Sequence, residues 1–191
     1  MFEATLKEVV QAKRLSASKM TKLTEIAMKS LSHDTELVLV LFKTHKGLAP
    51  SQKVSSLYVF DALVRAAHSY VVKHSIVPDS TPGKGNAATF LAKIEGIVEG
   101  LFEDMISSGA PEAQEKTKKI LDIWIKANAL PPAMLKRLGG IVKDKPADQK
   151  GAYRRPTMSW SLSVQFAWRT HDFSHVLEMR IRTEFLLPDL R

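Results

Sequence analysis

The chain has 191 residues, no cysteine and a formal net charge of +8. The absence of cysteine excludes disulfides, thiolate nucleophiles and cysteine-ligated zinc, and it fits a reducing compartment. Hydrophobic residues make up 45% of the chain and charged residues 25%, a composition typical of one soluble globular domain. The first residues lack the pattern of a secretory signal. No apolar run approaches the roughly eighteen residues of a membrane span, so no membrane span is expected.

The positive charge is divided unevenly along the chain. Residues 1–75 carry eleven basic and six acidic side chains, residues 76–115 carry two and seven, and residues 116–144 carry seven and two. This division predicts a basic face made by the early helices and the helix at 116–128, with the acidic side of the 86–108 helix turned elsewhere. Solvated helix faces of mixed charge are the alternative explanation.

Apolar residues at three- and four-residue steps, together with capping signals, predict helices throughout the first 75 residues. Serine is a common N-cap, and acidic residues in a first turn or basic residues in a last turn suit the helix dipole. Proline favours the first helical position, and glycine a helix end. Four helices are predicted here: Phe2 to Lys13, Ser18 to Leu31 with Ser16 or Ser18 as its cap, His33 to Gly47 with Ser32 as its cap, and Pro50 to Ser75.

The segment VPDSTPGKGN contains two prolines and two glycines and is predicted to be a loop. Its GKG does not follow a strand and lacks the spacing of a phosphate-binding loop. Three further helices are predicted after it: Asn86 to Ser108, Glu112 to Ala127, and Pro131 to Val142. Short loops joining many helices indicate an all-α array of antiparallel pairs.

The Pro50 to Ser75 helix carries a polar stripe beside its apolar side. Tyr58, Asp61 and Arg65 are spaced i, i+3 and i+7, so a phenol, a carboxylate and a guanidinium lie along one line of the helix. Such a stripe favours recognition of a ligand. The alternative is a core helix in which Asp61 and Arg65 form an ordinary i, i+4 ion pair.

The character of the sequence changes after Asp144. A polar, proline-containing segment, KPADQKGAYRRP, is predicted to be a linker. The following SWSLSVQFAW alternates apolar and polar residues with the period of a strand, although the chain offers no second strand to pair with it. The residues from Asp172 to Phe185 are compatible with a short helix. We expect residues 145–191 to be an atypical tail outside the domain.

No arrangement of residues indicates an enzyme or a cofactor site. His171, Asp172 and His175 form a short HD-x-x-H cluster of the kind that can bind a metal, but they lie in the atypical tail and no metal is predicted there. The remaining histidines, His33, His45, His68 and His74, are scattered, and we expect them to be exposed or partly buried. Neither catalysis nor a cofactor is therefore predicted.

Two stretches resemble a known family. VSSLYVFDALVRAA and KTKKILDIWIKANALPPAMLKRL are similar to the CTD-interacting domain, also called the CID or RPR domain, of RNA polymerase II-associated termination and 3′-end processing factors. The resemblance covers residues 1–144 and extends to the serine-containing LSASKMTKLTEIA of the fungal Nrd/Seb-type proteins. It implies about eight helices in a right-handed superhelix, an architecture shared with VHS, ENTH and armadillo-like proteins.

The resemblance also implies a peptide-binding groove. Members bind the phosphorylated heptad Tyr-Ser-Pro-Thr-Ser-Pro-Ser of the polymerase tail as a β-turn. Tyr58, Asp61 and Arg65 match the peptide-binding stripe, and Asp61 would accept a hydrogen bond from the heptad tyrosine. Ile120 and Ile123 match the apolar wall that receives the tyrosine ring, although a core role accounts for them equally well.

Three further residues match positions that contact phosphate. Ser16 and Lys19 match residues of the Nrd-type proteins that contact the phosphate on the fifth heptad residue. Lys119 matches a position where members selective for a second-residue phosphate have arginine. Lysine keeps the charge but lacks the two-pronged guanidinium, which leaves selectivity for that phosphate open. Trp124, five residues later, is interpreted as core.

The resemblance thus implies a nuclear, non-enzymatic protein without cofactors. Its expected partner is the phosphorylated C-terminal tail of the largest RNA polymerase II subunit, and no membrane is expected. RNA is a candidate further partner, through domains outside this chain, and the sequence leaves it open. Two alternatives remain. One is a VHS- or ENTH-like adaptor for acidic lipids or trafficking partners. The other is direct RNA binding by the basic face, for which interleaved exposed aromatic residues are missing.

Overall fold

The computed structural model describes residues 1–79, 81 and 84–143. Within these ranges the chain is helical, and Met1–Val142 forms one compact unit. Seven α-helices follow one another: α1 (Phe2–Val10), α2 (Ala17–Lys29), α3 (Asp34–Gly47), α4 (Pro50–His74), α5 (Ala87–Ser107), α6 (Pro111–Ala127) and α7 (Pro132–Lys143). The all-α prediction is confirmed, with seven α-helices and one short 3-10 turn in the described ranges where about eight helices were expected.

Two predicted helix ends are wrong. Helix α1 ends at Val10 and not at Lys13, because its last buried apolar residue is Val10 and the chain turns at Gln11. Ser32 does not cap α3. It lies inside the 3-10 turn Leu31–His33, and α3 begins directly after it.

Helix α5 provides the centre of the core. Its N-terminus is closed by a capping box, in which the Asn86 side chain accepts from the Thr89 amide and Thr89 Oγ1 accepts from the Asn86 amide. The helix packs against α3, α4 and α6. The large apolar side chains that recur at helical spacing along α5 are buried: Phe90, Leu91, Ile94, Ile97, Val98, Leu101, Phe102 and Met105.

Asp34, the first residue of α3, joins this helix to α5. Its carboxylate is buried and accepts hydrogen bonds from Thr89 Oγ1 and Lys93 Nζ, both at 2.6 Å. Gly85 lies against the same carboxylate, and its amide donates to the Ser32 carbonyl at 3.2 Å. A buried charge of this kind is stable only when its oxygens are paired, and here they are.

A second ionic cluster corrects the expectations about histidine and about the acidic side of α5. His45 is fully buried, and its Nε2 lies 3.1 Å from Asp104 Oδ2. Lys46 and Lys53 also pair with Asp104. Burial acts to raise the pKa of Asp104, but the hydrogen bonds from His45 and Lys53 outweigh it, so its pKa lies well below the usual range. Part of the acidic charge of α5 therefore neutralises basic residues of α3 and α4.

Several predictions fall outside the described residues. These are the linker and strand-like alternation after residue 144, the HD-x-x-H cluster and the helix from Asp172. In the described ranges, no helix is long and apolar enough to cross a membrane. The same ranges contain no group of three or more acidic, histidine or cysteine side chains placed to hold a metal ion.

Candidate functional site

The candidate site is centred on α4, which presents the predicted stripe. Proline at the first position of α4 begins the helix, and Ser75 closes it in the left-handed conformation, with φ 51°. Between them Tyr58 is half-buried, Asp61 is buried at 5% exposure, and the Arg65 side chain is 50% exposed. The stripe therefore passes from the core to the surface within two helical turns.

The carboxylate of Asp61 is held by a guanidinium on its own helix. Arg65 Nε donates to Asp61 Oδ1 at 2.9 Å, and its Nη2 donates to Oδ2 at 2.7 Å. Two parallel bonds of this type are stronger and more directional than a single contact. The hydrogen bond to Asp61 raises the pKa of Arg65 above its ordinary value.

A third donor reaches Asp61 from α6. Trp124 Nε1 donates to Asp61 Oδ1 at 3.0 Å. The tryptophan is fully buried, as predicted, and its ring lies 5.6 Å from the ring of Phe102 on α5. Sequence reasoning missed its polar contact, because nothing in the local pattern of α6 relates residue 124 to residue 61. The structure thus joins α4 and α6 at the candidate site.

The other predicted residues of α6 differ in exposure. Ile120 is 1% exposed and belongs to the core, whereas Ile123 is half-buried. Lys119 is exposed. Ile120 lies one helical turn before Trp124, which gives the two side chains neighbouring positions on α6. Of the two isoleucines, Ile123 has the surface expected of an apolar wall.

Ser16 and Lys19 lie at the beginning of α2. Ser16 occupies the N-cap position without a side-chain capping bond, and its Oγ is 2.9 Å from Ser18 Oγ. Lys19 Nζ lies 2.5 Å from Glu8 Oε1 on α1. This contact lowers the pKa of Glu8 through the hydrogen bond from Lys19. Helix α2 also packs against α4, which brings the two candidate regions to neighbouring helices.

The chain matches one family model over most of its length. The model is that of the CID domain, and it covers residues 1–138. Among curated proteins, the Rpb7-binding protein seb1 of Schizosaccharomyces pombe is 28% identical over 147 residues, which is 76% of this chain and 24% of that protein. The chain therefore spans about a quarter of the length of this relative.

Solved structures show the same fold. The CTD-interacting domain of Seb1 from S. pombe has a TM-score of 0.66 and 28% identity, covering 75% of this chain and 94% of that one. The yeast Nrd1 CID, solved in complex with Sen1 NIM3, has a TM-score of 0.65 and 24% identity, covering 73% and 94%. The second similarity supports the fold alone. Because the family model extends over more than half of the sequence, the chain belongs to the CID domain family.

Proposed function

We propose that the chain binds the phosphorylated heptad-repeat C-terminal tail of the largest RNA polymerase II subunit. In this role it would couple transcription to termination and RNA 3′-end processing. The observation that carries the proposal is the buried carboxylate of Asp61, fixed from two helices beside a half-exposed guanidinium. Family membership supplies the class of ligand.

The chemistry of Asp61 suits a tyrosine hydroxyl. A carboxylate has about four lone-pair positions, and the bonds from Arg65 and Trp124 occupy three of them, leaving one on Oδ2. A phenol O–H is a donor that fits this remaining position. The half-buried Ile123 would contact the tyrosine ring, Tyr58 would line the same groove, and Ile120 would support it from the core.

Phosphate recognition would depend on cations outside this groove. A phosphoserine carries nearly two negative charges, and a hydrogen bond to a charged group contributes about 1.5–3 kcal/mol. We assign the fifth-residue phosphate to Ser16 and Lys19, and a second-residue phosphate to Lys119. The resulting interface is small, so we expect single-site affinity on the order of micromolar, with repeated heptads increasing it by avidity.

The proposal includes a nuclear location and a binding role without catalysis. It takes the CID to extend over residues 1–144, with residues 145–191 outside it. The family match to residue 138 and the compact unit that ends at Val142 support this boundary. Any RNA recognition is assigned to domains outside this chain.

Fluorescence anisotropy with labelled two-heptad peptides tests the proposal. The peptides are unphosphorylated, phosphorylated on each second residue, or phosphorylated on each fifth residue. We expect phosphate-dependent binding by the wild type and its loss in the double variant Tyr58→Ala/Asp61→Ala. Circular dichroism of the double variant verifies that the helices remain. Equal binding by the double variant would reject the assigned groove.

The same preparation discriminates the alternative ligands. A lipid adaptor would sediment with vesicles rich in acidic lipids, and an RNA-binding protein would bind random RNA with a steep dependence on salt. We expect neither behaviour under conditions where phosphopeptide binds. Binding to vesicles or RNA without any binding to phosphopeptide would contradict the proposal.

A further inference from the structure

Trp124 occupies an unusual place for a core residue, since its only polar atom is directed at the candidate site. The side chain is fully buried, and the indole N–H donates to Asp61 Oδ1 at 3.0 Å. An indole N–H can only donate, so this bond requires an acceptor and holds the Oδ1 oxygen of Asp61 towards α6. The indole ring also packs against Phe102 of α5, with the two ring centroids 5.6 Å apart.

Arg65 alone cannot orient Asp61 in the same way. Both residues belong to α4, one turn apart, and half of the Arg65 side chain is exposed. Both of its bonds come from a side chain on the same helix as Asp61, so they do not link Asp61 to any other helix. The bond from Trp124 comes from α6, 63 residues away, and therefore ties Asp61 to a second helix.

We propose that Trp124 is a positioning residue, whose indole N–H holds Asp61 so that the free lone pair of Oδ2 meets the hydroxyl of the heptad tyrosine. The inference rests on the proposed function. With Oδ1 saturated by Arg65 and Trp124, Oδ2 is the oxygen with capacity for an incoming O–H donor. Without the indole, Oδ1 regains a lone pair and the carboxylate loses its fixed orientation. Recognition of the hydroxyl would then weaken, whereas contact with the aromatic ring would persist.

A cycle of protein and peptide variants isolates this effect. Wild type and Trp124→Phe are titrated with fifth-residue phosphopeptides that contain either tyrosine or phenylalanine at the first heptad position. We expect the wild type to bind the tyrosine peptide about tenfold more tightly, since one hydrogen bond to a charged acceptor is lost with phenylalanine. In Trp124→Phe the preference for the tyrosine peptide over the phenylalanine peptide, expressed as the ratio of the two affinities, should fall to about threefold or less. An unchanged ratio would overturn the inference, even if both affinities decrease.

Phe102→Leu provides the matched control. It disturbs the packing around the same ring but retains the indole N–H, so the ratio of the two affinities should stay near that of the wild type. A ratio that falls equally in Phe102→Leu would assign the effect to packing and overturn the inference.

A measurement on the wild type keeps the inference testable if Trp124→Phe does not fold. The NMR resonance of the Trp124 indole N–H should move when the tyrosine peptide saturates the protein and move less with the phenylalanine peptide. Equal movement with both peptides would contradict a role in hydroxyl recognition. If the wild type binds neither peptide, the proposed function itself fails. Binding of both peptides with equal affinity would leave the proposed function standing and overturn the role of Trp124.

Discussion

Lys19 Nζ lies 2.5 Å from Glu8 Oε1, so the ammonium assigned to the fifth-residue phosphate already has a carboxylate partner. A phosphate that approaches Lys19 must displace Glu8 or share the ammonium with it. We therefore expect Glu8→Gln to increase the affinity for a fifth-residue phosphopeptide by about two- to fivefold, the range of exposed ion pairs. Anisotropy titrations at low salt measure this change, because salt screens exposed charges.

Glu3→Gln is the control for this prediction. Glu3 forms an exposed ion pair with Lys7 at 2.7 Å on the same helix, and its replacement changes the net charge by the same amount. It should leave the peptide affinity nearly unchanged. Equal increases in the two variants would show that net charge, and not the partner of Lys19, determines the affinity.

Lys119 provides a test of which phosphate is selected. The side chain is exposed, and a lysine offers a point charge where a guanidinium would offer two parallel hydrogen bonds. Lys119→Arg should increase the affinity for a second-residue phosphopeptide by about threefold to tenfold and affect the fifth-residue peptide less. Lys118→Arg, at the neighbouring exposed position, serves as the control. If both peptides gain equally in Lys119→Arg, Lys119 does not contact the second-residue phosphate.

His45 makes the stability of the fold dependent on pH. Burial lowers its pKa below the ordinary 6.5, although the hydrogen bond to Asp104 acts in the opposite direction. As the pH falls through about 6.5, the unfolded chain binds a proton at this residue before the folded chain does, so the free energy of unfolding decreases. In urea titrations between about pH 7.5 and pH 5, His45→Gln should show a shallower decrease than the wild type.

The exposed His33 supplies the comparison for this pH prediction. In His33→Gln, the free energy of unfolding should depend on pH as it does in the wild type. The same slope in all three proteins would show that His45 does not contribute to it.

Gly85 is required by the close approach of the loop to α3. A Cβ at this position would collide with the Leu31 carbonyl oxygen and lie 2.6 Å from Asp34 Oδ1. Gly85→Ala should therefore lower the free energy of unfolding by about 1–3 kcal/mol. Gly96→Ala, within α5, meets no atom within 4 Å and should instead raise it by about 0.5–1 kcal/mol. Thermal denaturation of the two variants measures both changes, and equal stability of the two would contradict the assigned collision.

Apolar periodicity predicted most of the fold, because each helix buries one side. The inward residues of α5 and the stripe on α4 followed from spacing within one helix. The end of α1 did not follow from spacing, because it is set by the last buried residue, Val10. The 3-10 turn before α3 did not follow either, because Asp34 after it is held by Thr89 and Lys93 of α5. The capping signal of Ser32 was overridden by these tertiary contacts.

At the candidate site, too, contacts within one helix could be predicted from the sequence and contacts between helices could not. The i, i+4 pair of Asp61 and Arg65 could be predicted from one helix, and the structure forms it. The bonds from Trp124 to Asp61 and from Lys19 to Glu8 join different helices, so a single sequence contains no local signal for them. The burial of His45 depends in the same way on Asp104, 59 residues away.

The most direct test of the account is a two-dimensional amide NMR titration of the wild type with a fifth-residue phosphorylated two-heptad peptide. The proposed groove predicts shifts that cluster around Tyr58 to Arg65 on α4, around Ile123 on α6 and at the beginning of α2. The signals of the His45 and Asp104 cluster should stay in place. Shifts confined to α3 and α5, or no shifts at a large excess of peptide, would contradict the account.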